Sequence, residues 1–257
     1  MGEQLFREQK VLWVKTYTSN LRAFAITKPS GYHFLPGQFS RLAFPEGEGF
    51  LSRAYSVTSS QEEDFLSYYA VLIPNGRMSI RLGSLKEQDK ILIDPKPFGV
   101  LLPERFKDGQ DLVLLCTGSG LAPFLSMLKT RSLWDRFRRV TLVHSVRYLE
   151  ELTSQHLPEE LKEYLTPKEV NLKERLFYFP VVTRDVPQGM FHERIPRLLE
   201  TQQIEEKLGL VWTTQHTRFL ICGNPNMVKE SFKVLMDRGF SMHRQQLPGH
   251  IIMENGF

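Results

Sequence analysis

The chain changes texture once, and that change limits the folds open to it. From Lys10 to about Asp94 it reads as short runs, KVLWVKTY, RAFAIT, QFSRLAF, RAYSVT, LSYYAVLI and KILID, rich in β-branched and aromatic residues. Pro36-Gly37, Pro45-Glu46-Gly47 and Pro74-Asn75-Gly76 mark the joints between them. Many short strands with Gly/Pro turns predict an antiparallel β-barrel or sandwich. After Pro95-Lys96-Pro97-Phe98-Gly99 the apolar runs alternate with helical patterns. DLVLLC precedes APFLSMLKTR, and VTLVHSV precedes the stretch 158–164. LFYFPVV precedes ERIPRLLETQQ, and TRFLIC precedes NPNMVKESFKVLMDRG. Such alternation predicts an α/β domain with a parallel sheet and helices on both faces. Two domains are expected, residues 1–102 and 103–257, with the boundary between about Pro97 and Gly109.

Composition narrows the chemistry. The 257 residues include 33 Lys and Arg against 29 Asp and Glu, a formal net charge of +4. That balance suits an acidic partner or a phosphorylated ligand, and no basic run is dense enough to argue for nucleic acid. The 2 cysteines, Cys116 and Cys222, cannot build an iron–sulfur centre or a zinc site. No metal is expected. The polar start MGEQLFREQK has no apolar leader core, and apolar runs such as LVLLC are too short to span a bilayer. These features predict a cytoplasmic protein without a membrane span.

The unusual residues fall where a parallel sheet binds ligands, beyond the carboxyl ends of its strands. DLVLLC is followed by Thr117-Gly118-Ser119-Gly120-Leu121-Ala122-Pro123, a glycine turn leading into a helix. Alone, such a turn serves a plain strand-to-helix joint equally well. Arg147 follows the second run, Thr183 and Arg184 follow the third, and Arg194 lies ten residues on. Singly each arginine reads as a surface charge; together they suit one phosphate, because the guanidinium fork matches its oxygens. Cys222-Gly223-Asn224-Pro225 punctuates the fourth joint. In the first half, Asn75-Gly76-Arg77-Met78-Ser79 leaves a strand and starts a short helix that suits an anion. Arg53, in the stretch FLSRAYSVTSS, is placed to complete that clamp. Two anion-binding designs, one per domain, suggest two dinucleotide-type ligands.

With these motifs in order, the chain resembles the bacterial type of ferredoxin (flavodoxin)–NADP reductase over nearly its whole length. Arg53-Ala54-Tyr55-Ser56 resembles the family's flavin signature, and Gly76-Arg77-Met78-Ser79 its flavin pyrophosphate turn. Thr117–Pro123 resembles its nicotinamide loop, and Cys222-Gly223-Asn224-Pro225-Asn226-Met227 its last strand turn. The resemblance implies FAD in the barrel domain and NADP(H) in the α/β domain. It implies that Arg53 holds the FAD pyrophosphate, with Ala54 beside it. Tyr55, Ser56 and Ser119 would position the reacting ring, and Tyr69, Ala70, Val71 and Leu72 would run beside the flavin. Arg77, Met78 and Ser79 would hold its pyrophosphate. Val146, Arg147, Thr183, Arg184 and Arg194 would surround the adenosine ribose and 2′-phosphate. Asn224, Pro225 and Asn226 would border the nicotinamide half. The terminal Phe257 would cover part of the FAD, while Glu254 reads as a surface carboxylate.

The implied reaction is hydride transfer between nicotinamide C4 and flavin N5, followed by one-electron steps to a carrier. Partners would be an acidic ferredoxin or flavodoxin, approached by a monomer. Two alternatives stand beside this reading: the reductase component of an oxygenase or other multi-protein electron-transfer system, and a non-catalytic flavin or nucleotide sensor.

Overall fold

The alternating runs of the first half form strands β1 (Arg7–Thr18), β2 (Leu21–Thr27), β3 (Phe39–Glu46), β4 (Gly49–Ser56), β5 (Phe65–Val71) and β6 (Lys90–Ile93). The computed structural model describes residues 6–153, 157–165 and 170–256. The strands pair antiparallel in the order β4-β3-β6-β1-β2-β5. Just beyond β4, Val57 bridges to Tyr68 on β5, and Thr58 N–H donates to Ser67 O at 2.9 Å. That contact between the two edge strands makes the sheet barrel-like and removes an exposed edge. Side chains alternate across each strand, so Phe24 and Ile26, Leu66 and Tyr68, and Ile91 and Ile93 fill the interior. The buried Tyr68 hydroxyl donates to Ser40 Oγ at 3.0 Å, which satisfies a polar group inside that core. Helix α1 (Arg77–Gly83) adds Met78 and Leu82 to the same cluster.

The second half supplies β7 (Asp111–Thr117), β8 (Arg139–Val146), β9 (Leu176–Val182), β10 (Thr217–Gly223) and β11 (Ile251–Asn255). All pair parallel, in the order β11-β10-β7-β8-β9. Every residue of β10 is buried, as is β8 after its first. That is why these strands read as continuous apolar runs: a parallel sheet is covered on both faces. The sequence pattern accounts for four of these strands. The fifth, β11, spans only five residues, too few to show a period.

The helices are α2 (Ala122–Lys129), α3 (Arg131–Arg136), α4 (Leu157–Glu160), α5 (Leu172–Arg175), α6 (Ile195–Glu200), α7 (Gln203–Leu208) and α8 (Pro225–Asp237). The ERIPRLLETQQ pattern predicts one helix there. The structure ends that helix early, as α6, and a left-handed Gln202 at φ 57° separates it from α7, which continues beyond the pattern. The stretch near 158–164 holds only α4 and a 3₁₀ turn, Leu161–Glu163. Helices α6, α7 and α8 pack Leu198, Ile204 and Val228 against Val113, Leu115, Phe219 and Ile221. Those are the odd-numbered residues of β7 and β10; the even-numbered ones face the other way and are buried too.

Contacts divide the chain into two compact units. The first runs to Leu102 and takes in Ala122–Met127; the second comprises Pro103–Leu121 and the chain from Leu128 onward. Among the described residues no helix is long and apolar enough to cross a membrane.

Candidate functional site

In the first unit the site begins on β4. Residues two apart share a strand face, so Leu51, Arg53 and Tyr55 line up. Leu51 belongs to the core and Tyr55 packs against it. Arg53 is exposed, its guanidinium donating to Ser52 O at 2.7 Å. Burial pushes the Tyr55 hydroxyl up to about 12, against the smaller opposing effect of the Arg53 charge, so the group stays protonated. Ala54 and Ser56 lie half-buried on the opposite face, Ser56 pairing with Phe39 at the end of the ladder. On β5, Tyr69 and Val71 pack together on one face, while Ala70 points into the barrel core and Leu72 packs on that core. Tyr69 and Val71 therefore lie outside the barrel core, Ala70 can offer a ligand its backbone alone, and Leu72 is half-buried.

Helix α1 starts at Gly76, which provides no side-chain cap. Ser79 Oγ accepts from Ile73 N–H at 2.8 Å and so closes the turn that precedes the helix. Arg77 pairs with Glu46, and Met78 is buried in the core. Of the three residues singled out here, Met78 can meet a ligand through its backbone only.

In the second unit, the chain runs from β7 outward through β8 to β9, then returns to the other side of β7 as β10. The reversal point lies between the carboxyl ends of β7 and β10, the crevice where such sheets bind ligands. Both glycine turns are there. A 3₁₀ turn, Gly118–Leu121, follows β7. Gly120 lies so close to β10 that an added Cβ would stand 2.3 Å from Cys222 O. At Gly118, with φ +51°, an added Cβ would meet nothing within 4 Å, so this side of the turn is open. The open turn in this unit fits the approach of a nucleotide to its backbone, and so, in the first unit, does the uncapped start of α1. Thr117 Oγ1 accepts from Asn224 N–H at 2.8 Å and ties the two strand ends together. Asn224 caps α8, its Oδ1 accepting from the N–H groups of Asn226 (3.0 Å) and Met227 (3.4 Å), with Pro225 in the first turn. That cap occupies the amide oxygen.

Parallel pairing brings Arg147 and Arg184 together. Thr183 N–H donates to Val146 O at 3.0 Å, and Arg184 N–H donates to Arg147 O at 2.8 Å. Thr183 Oγ1 also donates to Val146 O at 3.1 Å, while the Val146 side chain packs with Val182 and Leu152. Arg147 pairs with Glu151 at 3.0 Å; Arg184 donates to the Tyr148 hydroxyl at 3.4 Å and sits over its ring. Arg194, exposed, stands at the start of α6 instead. Ser119 is half-buried in the turn. Phe257 lies outside the described residues.

One arrangement was not legible from the motifs. Register places Glu254, Cys222, Cys116 and His144 in one row across β11, β10, β7 and β8, on the same face. All four titrate abnormally, chiefly from burial. It raises the Glu254 carboxyl to about 6 and the Cys222 thiol to about 12, raises Cys116, and lowers His144 to about 4. Neither thiol is a nucleophile at neutral pH. Glu254 corrects the surface reading given above: it is half-buried on β11. The only available signal was a carboxylate inside the apolar run Ile-Ile-Met-Glu. Gly256 is held too, donating its N–H to Gly223 O at 2.7 Å. Among the described residues, no group of three or more His, Cys, Asp or Glu is arranged to hold a metal ion.

A barrel-like sheet followed by a parallel sheet with a glycine turn at its reversal point defines a nucleotide-dependent oxidoreductase, and residues 114–233 match the model of the oxidoreductase NAD-binding domain. The chain is 34% identical to the ferredoxin–NADP reductase of Azotobacter vinelandii over 258 residues, 97% of this chain and 96% of that one. It is 31% identical to the flavodoxin/ferredoxin–NADP reductase of Escherichia coli K12 over 222 residues, 86% of each chain. A crystal structure of a ferredoxin NADP+ reductase from Neisseria gonorrhoeae, with bound FAD and NADP, superposes with a TM-score of 0.89 at 48% identity, covering 98% of this chain and 99% of that one. The chain belongs to the ferredoxin–NADP reductase family, and it is an oxidoreductase of that type.

Proposed function

We propose that the chain binds FAD through residues 1–102 and NADP(H) through residues 103–257, and passes electrons between NADPH and a ferredoxin or flavodoxin. The observation that carries this reading is the near-complete match to the Neisseria reductase, whose structure holds both cofactors. When bound, the nicotinamide exchanges a hydride with the flavin, which exchanges electrons singly with the carrier.

The residues of this chain bind and orient. Arg53 offers an exposed guanidinium to the FAD pyrophosphate, and the backbone N–H groups that open α1 add donors to it. Tyr55, anchored on the core, offers a ring for stacking. Ser56 and Ser119 supply hydroxyls near the reacting ring. Tyr69, Val71 and Leu72 flank the flavin by side chain, Ala70 by backbone. Arg147 and Arg184, adjacent across two strand ends, receive the 2′-phosphate, with Arg194, Thr183 and Val146 around the ribose. Asn224, Pro225 and Asn226 shape the nicotinamide side of the crevice. The formal charge of +4 favours an acidic carrier. A cytoplasmic setting fits two free, buried cysteines, and the chain acts as a monomer.

The purified protein is expected to be yellow, and acid precipitation is expected to release FAD. Release of FMN, or no flavin uptake on reconstitution, contradicts the reading.

A further inference from the structure

His144 has no part in the scheme above, yet it is fully buried in the sheet directly beneath the glycine turn. Its Nε2 lies 3.3 Å from Gly118 O. A carbonyl oxygen only accepts, so Nε2 carries the proton and donates. Burial lowers the imidazole to about 4, with the bond to Gly118 and the nearby Glu151 opposing that shift; the ring is neutral at physiological pH. One tautomer therefore persists.

The bond acts together with the Gly118–Leu121 3₁₀ turn on the way one peptide faces. The Gly118–Ser119 bond is trans, as are all those described. In a trans peptide the C=O and the following N–H point in opposite directions. With Gly118 O held toward His144, Ser119 N–H points away from the His144 ring. It does so at the reversal point between β7 and β10, on a turn whose Gly118 side is open. Gly118 sits in the left-handed region at φ +51° and, lacking a Cβ, resists rotation of this peptide only weakly. A flipped peptide would present a carbonyl oxygen to the crevice, and an oxygen repels phosphate.

We infer that His144 is a positioning residue: it fixes the Gly118–Ser119 peptide so that Ser119 N–H, not Gly118 O, faces the bound nicotinamide dinucleotide. The inference rests on the NADP(H) reading above. It is specific to the part of the ligand near this turn. The adenosine 2′-phosphate is assigned to Arg147 and Arg184, which follow β8 and β9 rather than lying in this turn.

The test compares His144→Met and His144→Gln in the flavin-loaded protein. Met and Gln are similar in shape, and only Gln keeps an N–H donor. NADPH oxidation with ferricyanide as acceptor gives KM and kcat; titration with 2′-phospho-AMP reads the adenosine half alone. The Met variant is expected to raise the KM for NADPH roughly three- to tenfold, with kcat changed less and 2′-phospho-AMP affinity unchanged. The Gln variant is expected to recover most of the wild-type KM. An unchanged KM in the Met variant, equal loss of 2′-phospho-AMP binding, or no advantage of Gln over Met overturns the inference. Should the Met variant not fold, Gln decides: a KM within about twofold of wild type supports it, and a tenfold rise overturns it. Wild-type protein that binds neither NADPH nor 2′-phospho-AMP would instead sink the underlying function.

Discussion

Arg184 and Glu254 test the site residue by residue. Arg184 reaches Tyr148 through a long hydrogen bond and is otherwise open to a ligand. Arg184→Ala is expected to raise the KM for NADPH several-fold and to leave NADH use nearly unchanged. Equal damage to both cofactors would show that the side chain holds the fold instead. Glu254 tests pH. Its carboxyl rises from 4.5 to about 6 because burial disfavours the charge. A raised acid favours the folded state below its unfolded pKa, and that advantage disappears as pH rises through the folded pKa. Glu254→Gln removes the ionisation. Relative to wild type it should therefore gain stability, on the order of 1–2 kcal/mol, as pH climbs from about 4.5 to above 6. Melting temperatures of both proteins between pH 4.5 and 8 check this; parallel curves contradict it. The two residues differ in legibility. Arg184 could be read because strand ends bind ligands whatever the details. Glu254 could not, because its burial comes from pairing beside Cys222, more than thirty positions away in sequence.

At the scale of elements, the β7 and β10 turns carry the site, and their glycines do different work. Gly118 needs its left-handed backbone but has open space, so Gly118→Ala adds strain of about 1 kcal/mol. Gly120 has no such φ, yet a methyl there would press on Cys222 O and C. Overpacking of that kind costs up to about 3 kcal/mol or more, since backbone yields less readily than side chains. Gly120→Ala is therefore expected to lower the melting temperature more than Gly118→Ala. A reversed order would show that the β10 end moves freely. Most elements were legible from local pattern: continuous apolar runs became β7, β8 and β10 because a doubly covered strand has no polar face, and the apolar run of the edge strand β9 reads the same way although it is less buried. The break between α6 and α7 was not, because it depends on one residue, Gln202, adopting a conformation that a glutamine rarely takes. Ser79 is a further case. Its hydroxyl reads as a phosphate ligand in the motif, and its oxygen also closes the preceding turn by accepting from Ile73 N–H, a contact that leaves the O–H to donate.

For the whole molecule, the change of texture after Pro95 separates a barrel-like sheet from a parallel one, and the reversal of strand order places both glycine turns in one crevice. What the motifs left out is the polar row beneath that crevice, since register between distant strands is set by packing of the complete sheet. The central claim is that the chain moves electrons from NADPH to a one-electron carrier. The most direct measurement mixes the flavin-loaded protein with NADPH and with ferredoxin or flavodoxin from the same source, and follows carrier reduction by absorbance without oxygen. The account predicts two carrier molecules reduced per NADPH oxidised, as the electron count requires, with NADH much slower. NADPH oxidation that leaves every such carrier oxidised, or a preference for NADH, would contradict it.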